Sequence, residues 1–262
     1  LASDQFHHDA DEVLSKAYRR GVVSCVLTGT NEQTSESVLR LCEQYTPVYP
    51  GKLYCTAGIH PHDAKLWRPN SSSRVLQRLL TRPQAVAVGE TGLDFNRDYS
   101  PRTVQQRVFE AHLELAAKTG KPLFMHERDA HERQLEILKS YRNELNEGVI
   151  HCFTGDQKSL FNYLDLDLHI GITGWVCDER RGIELQRLIK NIPLDRLMLE
   201  SDAPYLLPRT IRPKPRSRRN EPAYLPWVLK SIAEHREESA AVISAATTRT
   251  AIDFFQLDLL SD

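Results

Sequence analysis

Short apolar runs alternate with longer amphipathic stretches along this chain, and five of the short runs stop on residues able to bind a metal or move a proton. Pro122 to Met125 runs into His126, Val149 and Ile150 into His151, and Ala85 to Gly89 into Glu90. Leu197 to Leu199 leads into Glu200, Ser201 and Asp202, and Cys55 to Ile59 into His60, Pro61 and His62. Runs this short, bounded by turn residues, predict strands buried on both faces. Strands are expected at Val22 to Leu27, Leu53 to Ile59, Ala85 to Gly89, Pro122 to Met125, Val149 to Ile150, His169 to Ile172 and Leu197 to Leu199. Helical spacing predicts Asp9 to Arg20, Glu32 to Tyr45, a helix near Ser73 to Leu80, Thr103 to Thr119 stopped by Gly120, His131 to Tyr141, one after Gly155, Leu225 to His235 and Glu238 to Phe255.

A strand-then-helix rhythm over 262 residues predicts an α/β protein: a TIM-type (β/α)8 barrel forming a single domain across residues 1–262. In such a barrel the C-terminal strand ends share one mouth, where groups distant in sequence meet. The opening Leu1 to Phe6 reads as a loop leading into the first helix, so the expectation is that strand 1 lies upstream of residue 1. An open doubly wound sheet is the rival, but it collects polar residues at one switch point rather than at nearly all strand ends, and no G-x-G-x-x-G follows a strand.

Charge and cysteine content narrow the class. A net charge of −1 provides no global field for nucleic acid, so a polyanion would need a local patch. The five cysteines form no C-x-x-C pair, which favours a reducing, cytoplasmic compartment. No apolar stretch is long enough to span a bilayer, and no signal segment is recognisable. Nothing in the sequence calls for a membrane or an obligate protein partner.

The chemistry lies at the strand ends. His126 and His151 are neutral imidazoles suited to a metal, and Glu90 and Asp202 would complete the shell as carboxylates. A carboxylate ending an apolar strand is costly to bury unless a cation or donor compensates it; for Glu90 the structural alternative is an ion pair with Arg128 or Arg97. Asp202 is placed to bind a metal and accept a proton, its structural alternative being a helix N-cap. His62 is expected to support the ligands or contact phosphate, His60 to be structural, and His7 and His8 to be a solvated pair.

Residues 209–219 carry six cations and no acid, directly after the Asp202 loop. Arginine matches phosphate bidentately, which makes Arg216, Arg218 and Arg219 candidate substrate contacts together with Arg128. Phe153, Trp175 and Tyr205 lie at strand mouths, where aromatic faces stack unpaired bases. A solvated basic loop and ordinary packing residues are the structural alternatives.

His60-Pro61-His62, Gly89-Glu90-Thr91-Gly92-Leu93-Asp94, His126 with Arg128-Asp129-Ala130, His151-Cys152-Phe153-Thr154-Gly155, Ser201-Asp202-Ala203-Pro204-Tyr205-Leu206 and Arg219-Asn220-Glu221-Pro222 resemble the ordered motif series of the TatD family of metal-dependent deoxyribonucleases. Residues 172–182 resemble its bacterial branch. The resemblance implies an amidohydrolase-superfamily barrel and a divalent metal, magnesium by preference with manganese or zinc as alternatives. It further implies 3′–5′ exonuclease action on the 3′ ends of single-stranded DNA or RNA, in repair or nucleic-acid turnover. By motif match the ligands are Glu90, His126 and His151, with Asp202 as further ligand or base. Two departures stand out: no H-x-H pair is visible at the end of a first strand, and Glu127 follows His126 where relatives often carry a small residue or cysteine.

The expected reaction is attack on phosphorus by water activated at the cation, with Asp202 taking the proton, Glu90 as ligand, and His62, Arg128 and the basic loop offsetting phosphate charge. The alternatives are a superfamily hydrolase of a small amide or ester, and a non-catalytic nucleic-acid-binding relative.

Overall fold

Seven parallel strands, hydrogen-bonded in the order of the chain, form one sheet in the computed structural model, which describes residues 1, 3–45 and 52–258. They are β1 (Ser24–Leu27), β2 (Lys52–Ala57), β3 (Ala85–Asp94), β4 (Leu123–Arg128), β5 (Gly148–Ile150), β6 (His169–Ile172) and β7 (Leu197–Leu199). The helices are α1 (Ala10–Arg19), α2 (Glu32–Tyr45), α3 (Pro69–Leu80), α4 (Arg102–Thr119), α5 (His131–Tyr141), α6 (Gln157–Leu164), α7 (Ile183–Leu188), α8 (Leu225–Ala233) and α9 (Ala240–Phe255). The expected eighth strand is not among the described residues, so β1 and β7 are the sheet's edges there.

Side-chain alternation sorts the strands into two cores. On one face Leu53, Cys55, Leu123, Met125, Ile150, Ile170, Ile172 and Leu197 pack with the helices. On the other, Tyr54, Val86, Phe124, Val149 and Met198 form a second cluster with Phe254, Phe255 and Leu257. Residues of β2 and β7 lie near opposite edges of a seven-stranded sheet and share one core, which requires the sheet to curl. The end of α9 therefore closes the floor of a barrel-like interior.

Most predicted bounds hold to within a few residues, and the larger differences have local causes. α3 starts at Pro69 rather than near Ser73, because proline at the first helical position forfeits no intrahelical bond. β3 outruns its predicted end by five residues and stops at Asp94. Helix side chains satisfy its backbone beyond the apolar run: Leu93 N–H donates to Gln134 Oε1 at 3.0 Å and Asp94 N–H to Gln105 Oε1 at 2.8 Å. Gly120 closes α4 in the left-handed conformation, φ 67°, as its sequence position predicts.

Candidate active site

Two residues beyond the floor cluster, β4, β5 and β7 each lead to a polar side chain on the same face. Phe124 is followed in this way by His126, Val149 by His151, and Met198 by Glu200. Period-two alternation thus stacks a polar layer on the apolar one at the C-terminal mouth. Glu90 reaches that layer by another route. Pairing of β3 with β4 steps from Gly89↔Phe124 to Thr91↔Met125, leaving Glu90 in a bulge, a device that re-aims a side chain next to a site. Gly89 sits at φ 141°, and a Cβ there would stand 2.1 Å from the Phe124 carbonyl oxygen. The bulge admits only glycine at that position.

The four residues selected by motif fall within one acidic and imidazole-rich cluster. Glu90 Oε1 lies 3.2 Å from His126 Nδ1 and 3.3 Å from His60 Nε2. His151 Nε2 lies 3.7 Å from Asp202 Oδ1. Glu90 and His126 both act electrostatically on Asp202, which ties the two halves together. His62 Nε2 and His126 Nε2 approach the same Asp94 Oδ2, at 2.7 and 3.2 Å. His60 is central rather than peripheral, with its ring centroid 4.5 Å from that of His126 and 4.3 Å from that of His62.

The electrostatics follow from burial and pairing. Burial opposes ionisation of Glu90, but His60 and His126 overcome it and hold the carboxyl well below its usual range. Burial likewise opposes the imidazolium of His151, yet the charge and hydrogen bond of Glu200 raise its pKa to about 10. Asp202 moves the other way: burial, helped by the Glu90 charge and opposed by His151, pushes it up to about 6. Carboxylates with such divergent environments suit different tasks, one as a permanent charge and one as a proton acceptor near neutrality.

Two groups of donors are gathered closely enough to hold a cation. His60, Glu90 and His126 form one, and His151, Cys152 and Asp202 the other, each residue offering one donor atom within 4.8 Å of the others. Imidazole nitrogen with carboxylate oxygen fits divalent magnesium, manganese or zinc.

Several residues were missed by the sequence reading or differ from it. Glu200 accepts from His151 Nδ1 at 2.8 Å and from Cys152 N–H at 2.9 Å. Its signal was present, since it shares a face with Met198, but Asp202 two residues later drew the assignment. Asp94 was hidden by the unpredicted length of β3. His112, fully buried on α4, accepts from Ile59 N–H at 3.0 Å and so braces the residue preceding His60. Nothing in the local sequence separates it from an ordinary helix histidine.

Two expected substrate contacts require correction. Phe153 is 2% exposed and belongs to the main core, because its N–H pairs with Gly171 O and directs the ring inward. It offers no face to a base. Arg219 is bound by both Asp9 oxygens and by Glu221, so it anchors the loop to α1 and has no free fork for phosphate. Arg209 is similarly spent on Glu179.

The remaining candidates stay accessible. Tyr205 is 64% exposed. Arg128, Arg216 and Arg218 are exposed and form no ion pair among the described residues. Trp175 is half-buried, with the Arg181 guanidinium 4.4 Å from its ring centroid, which leaves at most one face for a ligand. Asn220 donates to Ser201 O at 2.6 Å and Tyr205 O at 2.7 Å, holding both ends of the Asp202 loop. His7 and His8 are exposed, as expected.

Comparison with known proteins gives a consistent picture. A family model described as TatD related DNase matches residues 1–256. The chain is 46% identical over 257 residues to the 3′-5′ ssDNA/RNA exonuclease TatD of Salmonella typhimurium, covering 98% of this chain and 96% of that protein. It is 47% identical over 261 residues to the protein of the same name from Citrobacter rodentium, covering 100% and 97%. Among solved structures, the TatD homologue YJJV of Escherichia coli K12 superimposes with a TM-score of 0.85 at 28% identity, covering 97% of this chain and 95% of that one.

Proposed function

This chain belongs to the TatD-related DNase family, and we propose that it is a metal-dependent 3′–5′ exonuclease acting on single-stranded DNA and RNA in the cytoplasm, with residues 1–262 as one hydrolase domain. The observation that carries this reading is the convergence of Glu90, His126, His151 and Asp202 at the C-terminal mouth of the sheet. Those four residues would hold the metal, with His60 as a further donor from the geometry and magnesium as the working ion. When bound, the cation supplies Lewis acidity toward the phosphodiester and the attacking water.

The protein's own groups account for the rest. Asp202, with a carboxyl raised to about 6, accepts the proton released by the attacking water. Glu90 stays ionised and sets the charge of the site. His62, its Nε2 held by Asp94 at 2.7 Å, supports the cluster beside the phosphate. Arg128, Arg216 and Arg218 bring guanidinium forks to the backbone of the strand, while Tyr205 and the open face of Trp175 take unpaired bases.

The test is product analysis on a 5′-labelled single-stranded oligonucleotide across a metal series. Stepwise shortening from the 3′ end with magnesium is expected. Unshortened product under every metal, or full magnesium-dependent activity in Glu90→Ala, overturns the reading.

A further inference from the structure

We propose that Cys152 makes the His151 and Asp202 half of the cluster a site for a thiophilic divalent cation, which competes there with the hard cation of the proposed exonuclease. Only the inhibitory consequence rests on the exonuclease reading; the binding does not.

The donor set is one imidazole, one thiol and one carboxylate, each with an atom within 4.8 Å of the others. Nitrogen, sulfur and oxygen together suit zinc-like ions, whereas magnesium has no use for a thiol and favours oxygen. A single carboxylate fixes two of the donors. Glu200 Oε2 receives both His151 Nδ1 and the Cys152 N–H, so the imidazole's Nε2 is left to face Asp202.

The thiol is aimed by its backbone. Cys152 adopts φ 49°, a conformation uncommon for residues bearing a Cβ, and its Sγ lies 3.4 Å from Thr173 Oγ1, a polar group on the same mouth. The other free cysteines are Cys25, Cys42, Cys55 and Cys177. Among the described residues none of them joins a histidine and carboxylate group of this kind.

Binding breaks the S–H bond, releases that proton to solvent and forms a sulfur–metal bond with the sulfur lone pair, with no change in oxidation state. An ion so held occupies His151 and Asp202, which the hydrolytic reaction requires, so the soft ion inhibits by exclusion.

Cadmium is the probe. Titrating it into the full-length protein should produce the near-ultraviolet charge-transfer absorption of a cadmium thiolate, saturating at a single equivalent. In Cys152→Ser and Cys152→Ala the absorption should vanish and cadmium affinity fall at least ~100-fold, with thermal melts reporting whether each variant is folded. Cadmium should also inhibit magnesium-dependent trimming. No absorption in the unmodified protein overturns the proposal, whatever the variants do, and so does absorption that persists in both variants, which would assign it to another thiol. Loss of the exonuclease reading would leave the absorption in place, whereas failure of this proposal would leave trimming in magnesium intact.

Discussion

Glu200 holds His151 through an Nδ1 hydrogen bond of 2.8 Å, and this pairing depends on a glycine on the neighbouring strand. A Cβ at Gly171 would lie 2.0 Å from Glu200 Oε1. A carboxylate bonded to the remote nitrogen of a ligating imidazole fixes the ring and raises its basicity, and losing such a partner typically costs ~10- to 100-fold in metal affinity or activity. Glu200→Gln is expected to lower magnesium-dependent trimming within that range. Gly171→Ala should do the same by displacing the carboxylate. Isothermal titration with manganese, read beside the trimming rate, checks whether both variants lose cation affinity.

Removing donors should be more severe than removing their supports. His126→Ala is expected to reduce the magnesium-dependent rate at least ~100-fold, since it takes away a proposed ligand and the partner of both Glu90 and Asp94. His60→Ala should also lower activity substantially. A His60→Ala variant with unchanged rate and unchanged metal dependence would return that residue to a structural role.

The two ends of the basic loop should respond differently. Arg216→Ala with Arg218→Ala is expected to raise KM with little change in folding stability. It should also flatten the salt dependence of binding, by ~0.7 in the log–log slope for each phosphate of a single strand that is no longer neutralised. Arg219→Ala should instead lower stability by ~2 kcal/mol by leaving Asp9 without its guanidinium and Glu221 with Lys16 alone. Binding titrations at several salt concentrations and denaturant melts separate the two effects.

Acid should destabilise the fold through His112. Burial lowers its pKa from 6.5 to about 4, so between those values the unfolded chain takes up a proton that the folded protein refuses. The stability present above pH 6.5 is therefore lost as pH falls, by ~2 kcal/mol at pH 5 from this group. Denaturant melts at pH 7 and pH 5 should show a smaller difference in His112→Gln than in the unmodified protein. His169, also lowered to about 4 by burial, would account for part of what remains.

The floor of the barrel should be sensitive to volume. Phe254 is 3% exposed within the cluster that closes the interior, and Phe254→Ala is expected to cost ~3–5 kcal/mol through reduced burial and a residual cavity. A loss below ~1 kcal/mol, by the same melts, would argue against the plug at the end of α9.

The alternation of short apolar runs with amphipathic stretches was enough to read the strand order, the helices between strands, and the shared end at which His126, His151, Glu90 and Asp202 would emerge. That is local information, because a period of two or 3.6 and a turn residue are written in neighbouring positions. The order of motifs carried the family for the same reason. Contacts between distant segments were a different matter. Glu200, at the end of β7, reaches His151, at the end of β5, across β6, and its partner space is set by the absence of a side chain at Gly171. The extension of β3 to Asp94 depends on Gln105 and Gln134 from two helices. Arg219 is committed to Asp9, some two hundred positions earlier, and the Phe153 ring turns inward because its N–H pairs with β6. Composition places a charge or a ring near a mouth; only packing decides whether that group is already satisfied by the protein or still free to meet a ligand.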